Sequence, residues 1–474
     1  MTLDTQASTY NARIVSSVAA TIISLACGTN YVYSAWAPQF ADKLLLSATE
    51  SNLIGLAGNL GMYSMGVPVG MFVDAKGPRP AVIIGSVLLL LGYYPLHQAY
   101  DAGHASVGWL CFVSFLSGFG GCVAFAAAIK TSALNWPHHR GTATAFPLAA
   151  FGLSAFFFSL LGSLFFPGSP SKFLSLLAFG TFSMTFASFF FLRVLPHSPY
   201  TSVPAADPGL MESQEPHRST SLDSPNSHAG RVNPYEPDIR GMNLLRNFEF
   251  WQLFTIMGIL SGIGLMTINN IGNDVTALWK HYDDSIDDKT LVLRQQLHVS
   301  ILSIGSFAGR LLSGVGSDFL VKVLGASRVW CLVIASGIFS LAQICALNVL
   351  NPHLLGFVSG FSGLGYGFLF GVFPSIVAES FGIHGLSQNW GFMTLSPVIS
   401  SNVFNLFYGS VFDAHSVVEA DGTRTCTEGI ECYWSAYVVT LCACGLGFIV
   451  TLWVIWHQSW AKQSITSIKG HSVD

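Results

Sequence analysis

The sequence has little charge. Asp, Glu, Lys and Arg make up only 10% of its 474 residues, whereas soluble domains carry about a quarter. Hydrophobic residues reach 51% and the mean hydropathy is +0.52. These values exclude an ordinary soluble domain and indicate a chain that crosses a membrane several times. The formal net charge of −4 offers no basic surface for a row of phosphates, so we expect no nucleic-acid partner.

The residue patterns of enzymes and of cofactor sites are also missing from the sequence. It has no metal-ligand spacing, no glycine loop that would cradle a phosphate, and no nucleophile with a base beside it. The neighbouring His138 and His139 are poor evidence for a metal by themselves. We therefore expect no cofactor and no enzymatic activity. Without an ATP-binding domain, any transport would depend on a gradient.

Long apolar stretches dominate what is present. A helix needs about twenty apolar residues to cross a bilayer, and about twelve stretches meet that requirement. They begin near Ile14, Asn52, Ala81, Ser106, Thr142, Phe173, Trp251, Leu297, Val329, Leu354, Leu386 and Trp434. The pattern predicts an all-α membrane protein with twelve transmembrane helices.

The stretches fall into two groups of six. Residues 1–192 are predicted to form an N-terminal six-helix bundle and residues 248–460 a C-terminal one. Residues 193–247 are rich in Pro, Ser, Asp and Glu and have too little apolar surface to fold, which predicts a disordered cytoplasmic linker. Residues 461–474 are predicted to be a cytoplasmic tail.

The basic residues predict the orientation of the chain. Fourteen Lys and Arg residues fall on the side of the N-terminus. The other side has six: Lys43, Lys172, Lys280, Lys289, Arg294 and Arg424. By the positive-inside rule, both termini lie in the cytoplasm.

One loop between two apolar stretches, Gly70–Pro80 (GMFVDAKGPRP), has a counterpart far along the chain. Gly70 allows close helix approach, Asp74 can face the positive end of another helix, and Gly77-Pro78 forces a turn. The same Gly and Asp spacing returns at Gly314 and Asp318. The repeat predicts two halves built on one plan.

The loop resembles the signature loop between helices two and three of the major facilitator superfamily. That resemblance implies a fold of two six-helix bundles related by pseudo-two-fold symmetry. We interpret the charged and glycine positions at this side as elements that balance inward-open against outward-open states. The candidate gating residues are Gly70, Asp74, Lys76, Arg79, Lys130, Arg140, Gly314, Asp318 and Glu379.

Arg310 is the basic residue that falls on neither side of the predicted membrane. It lies eight residues before Asp318, hence about 12 Å up a helix. Its guanidinium could bind a carboxylate through two parallel hydrogen bonds, as a carrier of organic anions requires. The alternative is a bond between helices that closes the cytoplasmic gate, with Glu379 as a candidate partner.

Uncharged polar residues inside the predicted spans form a second group of candidates. Each could bind a substrate, or it could hydrogen-bond a neighbouring helix. With Arg310, the candidate substrate-binding residues are Asn30, Tyr31, Asn269, Asn270, Tyr366 and Asn389.

Two loops predicted to be non-cytoplasmic carry further signals. Cys426 and Cys432 share one of them, where a disulfide could survive; a disulfide and two free thiols are both consistent with the sequence. The other loop, predicted from Asn273 to Gln296, contains Asp274 and several further aspartates. It is either a solvated run of charge or a mouth that attracts cations.

Several motifs resemble the nodulin-like branch of the superfamily, and within it the fungal monocarboxylate-transporter homologues. They are GTNYVYS at 28–34, NWP at 135–137, TINNIG at 267–272, Gly309-Arg310, GLGYG at 363–367 and ESFG at 379–382. The resemblance implies alternating access and a vacuolar membrane location, with the plasma membrane as the alternative. Monocarboxylate transporters are similar in placing an arginine on helix eight, but they use a lysine on helix one where this sequence has Ala35.

The leading hypothesis is a secondary carrier of a small, anionic organic solute such as a carboxylate. The expected partners are that solute and the lipid bilayer, and no obligate protein partner is evident. A second hypothesis is a solute sensor on a carrier scaffold that signals through the central linker.

Overall fold

The computed structural model describes residues 2–136, 140–195, 239–283, 285–382, 386–419 and 422–470. Of these, the side chains of 2–9, 140–142, 386–387 and 460–470 are left undescribed. The described chain is mostly helical. In the first half the helices are α1 (Thr2–Cys27), α2 (Ala37–Leu44), α3 (Ala48–Ser64), α4 (Gly66–Lys76), α5 (Pro78–Ala102), α6 (Val107–Asn135), α7 (Arg140–Phe165) and α8 (Pro170–Phe191).

The second half repeats this helical pattern. Its helices are α9 (Met242–Leu245), α10 (Phe248–Tyr282), α11 (Asp288–Lys322), α12 (Trp330–Asn348), α13 (Gly356–Phe381), α14 (Leu386–Met393), α15 (Leu395–His415) and α16 (Trp434–Gly470). A two-residue hairpin pairs β1 (Val417–Val418) with β2 (Arg424–Thr425) in antiparallel register. Short 3-10 helices cover Gly28–Ala35, Pro352–Leu354 and Gly429–Cys432.

Local sequence fixes where the helices of the signature loop begin and end. The Ser47 hydroxyl accepts from Glu50 N–H and the Glu50 carboxylate accepts from Ser47 N–H, a capping box that starts α3. The helices α3 and α4 are bent by 45° at the break between them. Gly77 has a φ of +84°, and Pro78 follows as the first residue of α5. The chain therefore reverses as the loop predicts.

Ten of the described helices are long and apolar enough to cross a membrane, or eleven if the bent pair of α3 and α4 is one span. The eleventh predicted stretch, which begins near Leu386, forms α14 and α15, and neither helix is long and apolar enough by the same criteria. Thr49 of α3 lies against Gly409, and Thr394 donates a hydrogen bond to Tyr63 O, so α15 runs antiparallel along α3. One face of α15 buries polar side chains against its neighbours, which lowers its hydropathy; among them are Ser396, Ser401 and Asn405.

The two halves are the six-helix groups on either side of the linker. We call the end of the molecule that holds Asp74 and Asp318 the hairpin end, and the opposite end, which holds Cys426 and Cys432, the disulfide end. Both hairpins lie at the same end. Arg328 pairs with Asp318 and with Glu379 at the end of α13, and the next helix, α14, places Gly391 near Gly66, eight residues before Asp74. Thr49 and Gly409 meet at the other end. The halves contact each other through α3 with α15 and through α7 with α11.

Residues 196–238, the larger part of the predicted linker, lie outside the described residues. Near the end of the predicted linker, Met242–Leu245 forms α9, which ends just before α10 begins at Phe248. The Ile239 N–H donates to Phe381 O, and the Asn247 side chain caps α10 by accepting from Glu249 N–H. The prediction of a disordered linker is therefore wrong for residues 239–247, which are held by α9 and by these hydrogen bonds.

The acidic loop is shorter than predicted, because α10 continues to Tyr282 and α11 begins at Asp288. Asp274 therefore lies inside α10. Asp283 accepts from the Ser285 N–H and hydroxyl, and the hydroxyl lowers the pKa of Asp283 from its ordinary value. Asp287 caps α11 by accepting from Thr290 N–H. These two aspartates serve local loop structure.

Candidate functional site

Three tyrosine hydroxyls meet where the two halves join. Tyr31 and Tyr63 come from the first half, and Tyr366 comes from α13 of the second. The hydroxyl oxygens lie 2.7 Å apart between Tyr31 and Tyr63, 2.8 Å between Tyr63 and Tyr366, and 3.3 Å between Tyr31 and Tyr366. All three side chains are buried. Each hydroxyl can donate one bond and accept others, so the cluster satisfies itself in this state.

Glycines set the position of Tyr366. A Cβ at Gly363 would lie 2.0 Å from Leu302 O, and one at Gly367 would lie 2.0 Å from Ser306 O. The backbones of α13 and α11 therefore touch at these positions, a closeness that small residues allow in membrane helices. The glycines of the GLGYG motif thus allow α13 to pack closely on α11, and this packing places Tyr366 at the junction.

Arg310 lies on α11 beside this cluster. It is twelve residues before the end of α11 at Lys322, about 18 Å from the hairpin end at 1.5 Å per residue. Its Nη1 donates to Leu148 O of α7 at 2.6 Å, which joins the two halves. Its Cζ lies 5.6 Å from the centre of the Phe151 ring, within the range of a cation–π contact.

The Arg310 guanidinium has N–H donors for which the described residues provide no partner. The Nε of Arg310 is buried and has no hydrogen-bond partner. No carboxylate among the described residues lies within ion-pair distance of it. A guanidinium carries five N–H donors, so most of its donors are available to an anion. Glu379, the alternative partner considered from the sequence, instead pairs with Arg328.

Phe151 connects the arginine to the tyrosines. Its ring centre lies 5.5 Å from that of Tyr31, and the two rings meet edge to face. We call Arg310, Phe151, Tyr31, Tyr63 and Tyr366 the Arg310 site. It combines one cation, three hydroxyls and an aromatic wall at the junction of the halves. Such a set can hold a small anion by charge and orient it by hydrogen bonds.

The four asparagines among the candidate substrate-binding residues form hydrogen bonds within their own half, and none of the described bonds joins them to Arg310 or the three tyrosines. Asn30 donates to Gly58 O. Asn269 and Asn270 both donate to the side-chain oxygen of Asn405. Asn389 donates to Ile239 O. The structure therefore places Arg310, Tyr31 and Tyr366 together and the asparagines apart from them.

Among the side chains that the structure describes, the ion pairs at the hairpin end join residues of the same half. Lys130 Nζ lies 2.5 Å from Asp74 Oδ1, and both belong to the first half. Arg328 Nη1 lies 2.9 Å from Asp318 Oδ1, and its Nε lies 3.2 Å from Glu379 Oε2. Asp74, Asp318 and Glu379 thus each pair with a cation of their own half, and their role in gating stays a prediction. The partner of Asp318 and Glu379, Arg328, was missing from the predicted set.

The other candidate gating residues make few contacts between the halves. A Cβ at Gly70 or at Gly314 would meet no heavy atom within 4 Å. Lys76 is exposed at the end of α4, and Arg79 lies over the Phe189 ring of its own half at 4.6 Å. The side chain of Arg140 falls outside the described residues.

The disulfide end, by contrast, is held across the halves. Both carboxylate oxygens of Asp413 on α15 accept from the start of α3: from Ala48 N–H at 2.7 Å, and from Thr49 N–H and hydroxyl at 3.0 and 2.6 Å. A Cβ at Gly272 would lie 2.1 Å from Ser34 O of the first half. We call the first set of bonds the Asp413 contact. A carboxylate at a helix N-terminus is favoured by unpaired N–H groups and by the helix dipole.

The structure joins Cys426 and Cys432 in a disulfide, the pairing that the sequence left open. Two small cavities in the described part of the chain lie away from Arg310. One of about 40 Å³ is at the disulfide end between the halves, and one of about 10 Å³ is inside the first half. The Arg310 site is therefore a junction closed toward the disulfide end.

Two glycines further toward the hairpin end meet nothing of the other half. A Cβ at Gly66 of α4 would lie 3.7 Å from Gly391 Cα of the second half, whereas a Cβ at Gly70 would meet no heavy atom of the described residues within 4 Å. On α11, Arg310 contacts Gly152 of α7, whereas a Cβ at Gly314 would meet no heavy atom of the described residues within 4 Å. Two helical halves that meet at a polar, cationic junction are the architecture of a membrane transport protein.

The chain belongs to the Major Facilitator Superfamily, whose family model matches residues 18–401. This confirms the resemblance read from the signature loop, and the fold predicted with it.

Relatives and solved structures agree with this assignment. The chain is 27% identical to an uncharacterized membrane protein of Saccharomyces cerevisiae over 95% of both chains. It is 26% identical to the probable transporter MCH1 of Wickerhamomyces anomalus, covering 89% of this chain and 84% of that one. The fold is similar to that of a bacterial homologue of the human lysosomal transporter Spinster, with a TM-score of 0.62, 14% identity and coverage of 94% and 97%. The nucleoside transporter NupG has a TM-score of 0.59 at 12% identity, with coverage of 94% and 98%.

Proposed function

We propose that this protein is a secondary active carrier of a small organic anion, such as a carboxylate, that binds at the Arg310 site. The observation that carries the proposal is the half-buried guanidinium of Arg310, placed between the halves without a carboxylate partner among the described residues. A cation inside a membrane protein usually marks a substrate or ion pathway. A bidentate carboxylate would supply the acceptors that this arginine lacks.

The three tyrosine hydroxyls would fix the orientation of that anion. In the present state they bond one another. A bound carboxylate could accept from one or two of them, since each hydroxyl can turn its proton. Because Tyr31 and Tyr63 belong to one half and Tyr366 to the other, a ligand at this place contacts both halves. Its binding would then differ between the two arrangements of the halves, which is what coupling to alternating access requires.

We propose further that the protein alternates between two arrangements and that this structure is open toward the hairpin end. The Asp413 contact and the close approach of Gly272 to Ser34 hold the disulfide end together. The ion pairs of the hairpin end that involve described side chains join residues of single halves. In the opposite state we expect the Asp413 contact to break and α4 and α11 to approach the other half at Gly70 and Gly314.

The hairpin end is proposed to face the cytoplasm. The excess of Lys and Arg on that side follows the positive-inside rule. A disulfide at the other end fits an oxidising compartment, such as a vacuolar lumen or the cell exterior. Impermeant thiol labelling of Lys76→Cys checks this. In isolated intact vacuoles the cytoplasmic face is the outer face, so Lys76→Cys should be labelled without opening the membrane. In intact cells, Lys76→Cys should stay unlabelled until the plasma membrane is opened.

The test of the substrate site is uptake by purified protein in sealed vesicles, with a panel of radiolabelled mono- and dicarboxylates and neutral solutes. Wild type should accumulate at least one carboxylate. Arg310→Gln should lose that uptake by at least tenfold, since a bidentate pair is lost.

The matched control is Arg294→Gln. Arg294 lies on the same helix, over the Trp279 ring at 4.8 Å near the disulfide end, so the variant removes one positive charge from α11 without touching the site. It should keep most of the uptake. If Arg310→Gln transported every tested anion like Arg294→Gln, the guanidinium would not be the ligand.

A further inference from the structure

Asp274 is a buried carboxylate that the proposed carrier mechanism does not use. It lies on α10, eight residues before Tyr282, about 12 Å inside the disulfide end. Its side chain is 1% exposed. Oδ1 accepts from the Tyr408 hydroxyl of α15 at 2.6 Å, and Oδ2 accepts from the Tyr437 hydroxyl of α16 at 2.6 Å.

Within the described part of the chain, the Asp274 carboxylate has no ion-pair partner. Among the described residues, no Lys, Arg or His lies within ion-pair distance of Asp274. The titratable groups that face it are tyrosines: Tyr408 from α15, and Tyr437 and Tyr433 at the start of α16. The helices α11, α12 and α13, which also pack on α10, direct no charged side chain at it. An unpaired buried charge is strongly unfavourable, and a buried acid commonly relieves it by taking up a proton.

The carboxylate is mechanically connected to the closed end of the protein. Tyr408 directly precedes Gly409, where a Cβ would lie 2.8 Å from Thr49 Cα of the first half. Asp413, one turn further along α15, makes the Asp413 contact with the same residue. A change in the Tyr408 hydrogen bond therefore acts on the helix that joins the halves.

A cavity lies at the same end of the protein, next to the neighbours of the carboxylate. The cavity of about 40 Å³ is lined by Asn273, which precedes Asp274, and by Phe412. The Phe412 ring stacks on that of Tyr408, with 5.9 Å between their centres. The Phe412 and Tyr408 rings therefore lie between this cavity and the Asp274 site.

We propose that Asp274 is a proton-binding site that controls the Asp413 contact. When Asp274 is ionised, both phenols donate to it and α15 is held in place. When a proton from solvent forms an O–H bond on one carboxylate oxygen, that oxygen no longer accepts from its tyrosine in the same way. The tyrosine hydroxyl must turn, α15 is held less firmly, and the halves separate more readily at the disulfide end. This deepens the proposed carrier function by naming the proton as the coupling ion.

The first test is infrared spectroscopy of the full protein in lipid nanodiscs across a pH titration. A protonated carboxyl has a C=O stretch that the ionised form lacks. We expect wild type to lose one such band as pH rises and Asp274→Asn to lack that band at every pH. Asp101→Asn is the matched control: Asp101 lies at the membrane surface and accepts from Ser171, so the Asp274 band should persist. A wild-type spectrum that never contains the band Asp274→Asn removes would overturn the proposal.

The second test is hydrogen exchange of the first turn of α3, whose Ala48 and Thr49 amides donate to Asp413. After correction for intrinsic pH effects, wild type should exchange this turn several times faster at low pH. Tyr408→Phe should keep the infrared band but make the exchange independent of pH. If Asp274→Asn fails to fold, Tyr408→Phe alone decides: pH-dependent exchange like that of wild type would overturn the coupling.

Neither measurement needs a transported solute. Failure of Arg310→Gln to affect uptake would remove the anion site and leave the Asp274 results standing. If instead the wild-type spectrum has no Asp274 band while Arg310→Gln loses uptake, the proton site is wrong and the anion site stands.

Discussion

The two ends of this protein use carboxylates differently. At the hairpin end, Asp74 and Asp318 are exposed and pair with cations of their own half. At the disulfide end, Asp413 crosses between the halves and accepts from the start of α3. Exposed ion pairs contribute about 0–1 kcal/mol, whereas a cap on a helix N-terminus contributes about 0.5–2 kcal/mol. The helix cap, the stronger type of contact, thus joins the two halves at the disulfide end. The exposed ion pairs, the weaker type, do not join the halves at the hairpin end.

The largest effect should come from Gly272→Ala. Its Cβ would lie 2.1 Å from Ser34 O, a backbone atom that cannot move aside alone. Overpacking of this kind costs about 1–3 kcal/mol, so closure of the disulfide end should weaken markedly. Hydrogen exchange of the 3-10 helix Gly28–Ala35 measures this. Gly337→Ala is the matched control, because nothing lies within 4 Å of its Cβ; equal exchange in both variants would contradict the prediction.

Asp413→Ala should have the next largest effect. It removes three accepted hydrogen bonds from the start of α3 and should destabilise the closed end by about 0.5–2 kcal/mol. The amides of Ala48 and Thr49 should then exchange faster by a factor of about 2–30. Asp283→Ala is the comparison variant, since Asp283 bonds only Ser285 of its own loop among the contacts described. Slower or unchanged exchange in Asp413→Ala would show that the contact does not hold the halves.

Loss of a hairpin-end ion pair should matter less. Lys130→Gln removes the cation beside Asp74, an exposed pair within one half, so the midpoint of thermal unfolding should fall by an amount equivalent to about 0–1 kcal/mol. Exchange at α3 should remain at the wild-type rate. A loss as large as that of Asp413→Ala would mean that the two ends do not differ as described.

The smallest effect on stability should come from Gly70→Ala. A Cβ there meets no heavy atom within 4 Å, and alanine favours a helix by about 1 kcal/mol or less, so thermal unfolding should stay near the wild-type midpoint. Uptake into vesicles should nevertheless slow, because we expect Gly70 to approach the other half when the hairpin end closes. Wild-type uptake by Gly70→Ala would separate this glycine from gating.

The sequence predicts best what repeats or stands out chemically. The paired loops predict the two-half fold, and the isolated charge of Arg310 marks the junction at which Tyr31 and Tyr366 also lie. The asparagines look equally promising in the sequence, because spacing along one helix does not show that Asn269 and Asn270 turn toward Asn405.

Hydrogen bonds between residues far apart in the sequence could not be predicted. In the Asp413 contact, Asp413 is separated from Ala48 by 365 positions in the sequence and from Thr49 by 364. No local pattern marks such a pair. The sequence predicts Asp274 in an acidic loop, because charged residues are rare inside a membrane span. In the structure its carboxylate lies inside α10 and accepts from two phenols, of α15 and α16, which no local pattern indicates.

The polar composition of α15 bears on how the protein is made. This helix is not among those long and apolar enough to cross a membrane. Its transfer by itself from the insertion machinery into lipid is therefore expected to have little favourable free energy. Its serines and asparagines find partners on α10 and within α15 itself, and its Asp413 finds them on α3. We therefore expect the second half to complete its biogenesis only after the first half is in the bilayer, with α3 acting as a template for the late insertion of α15.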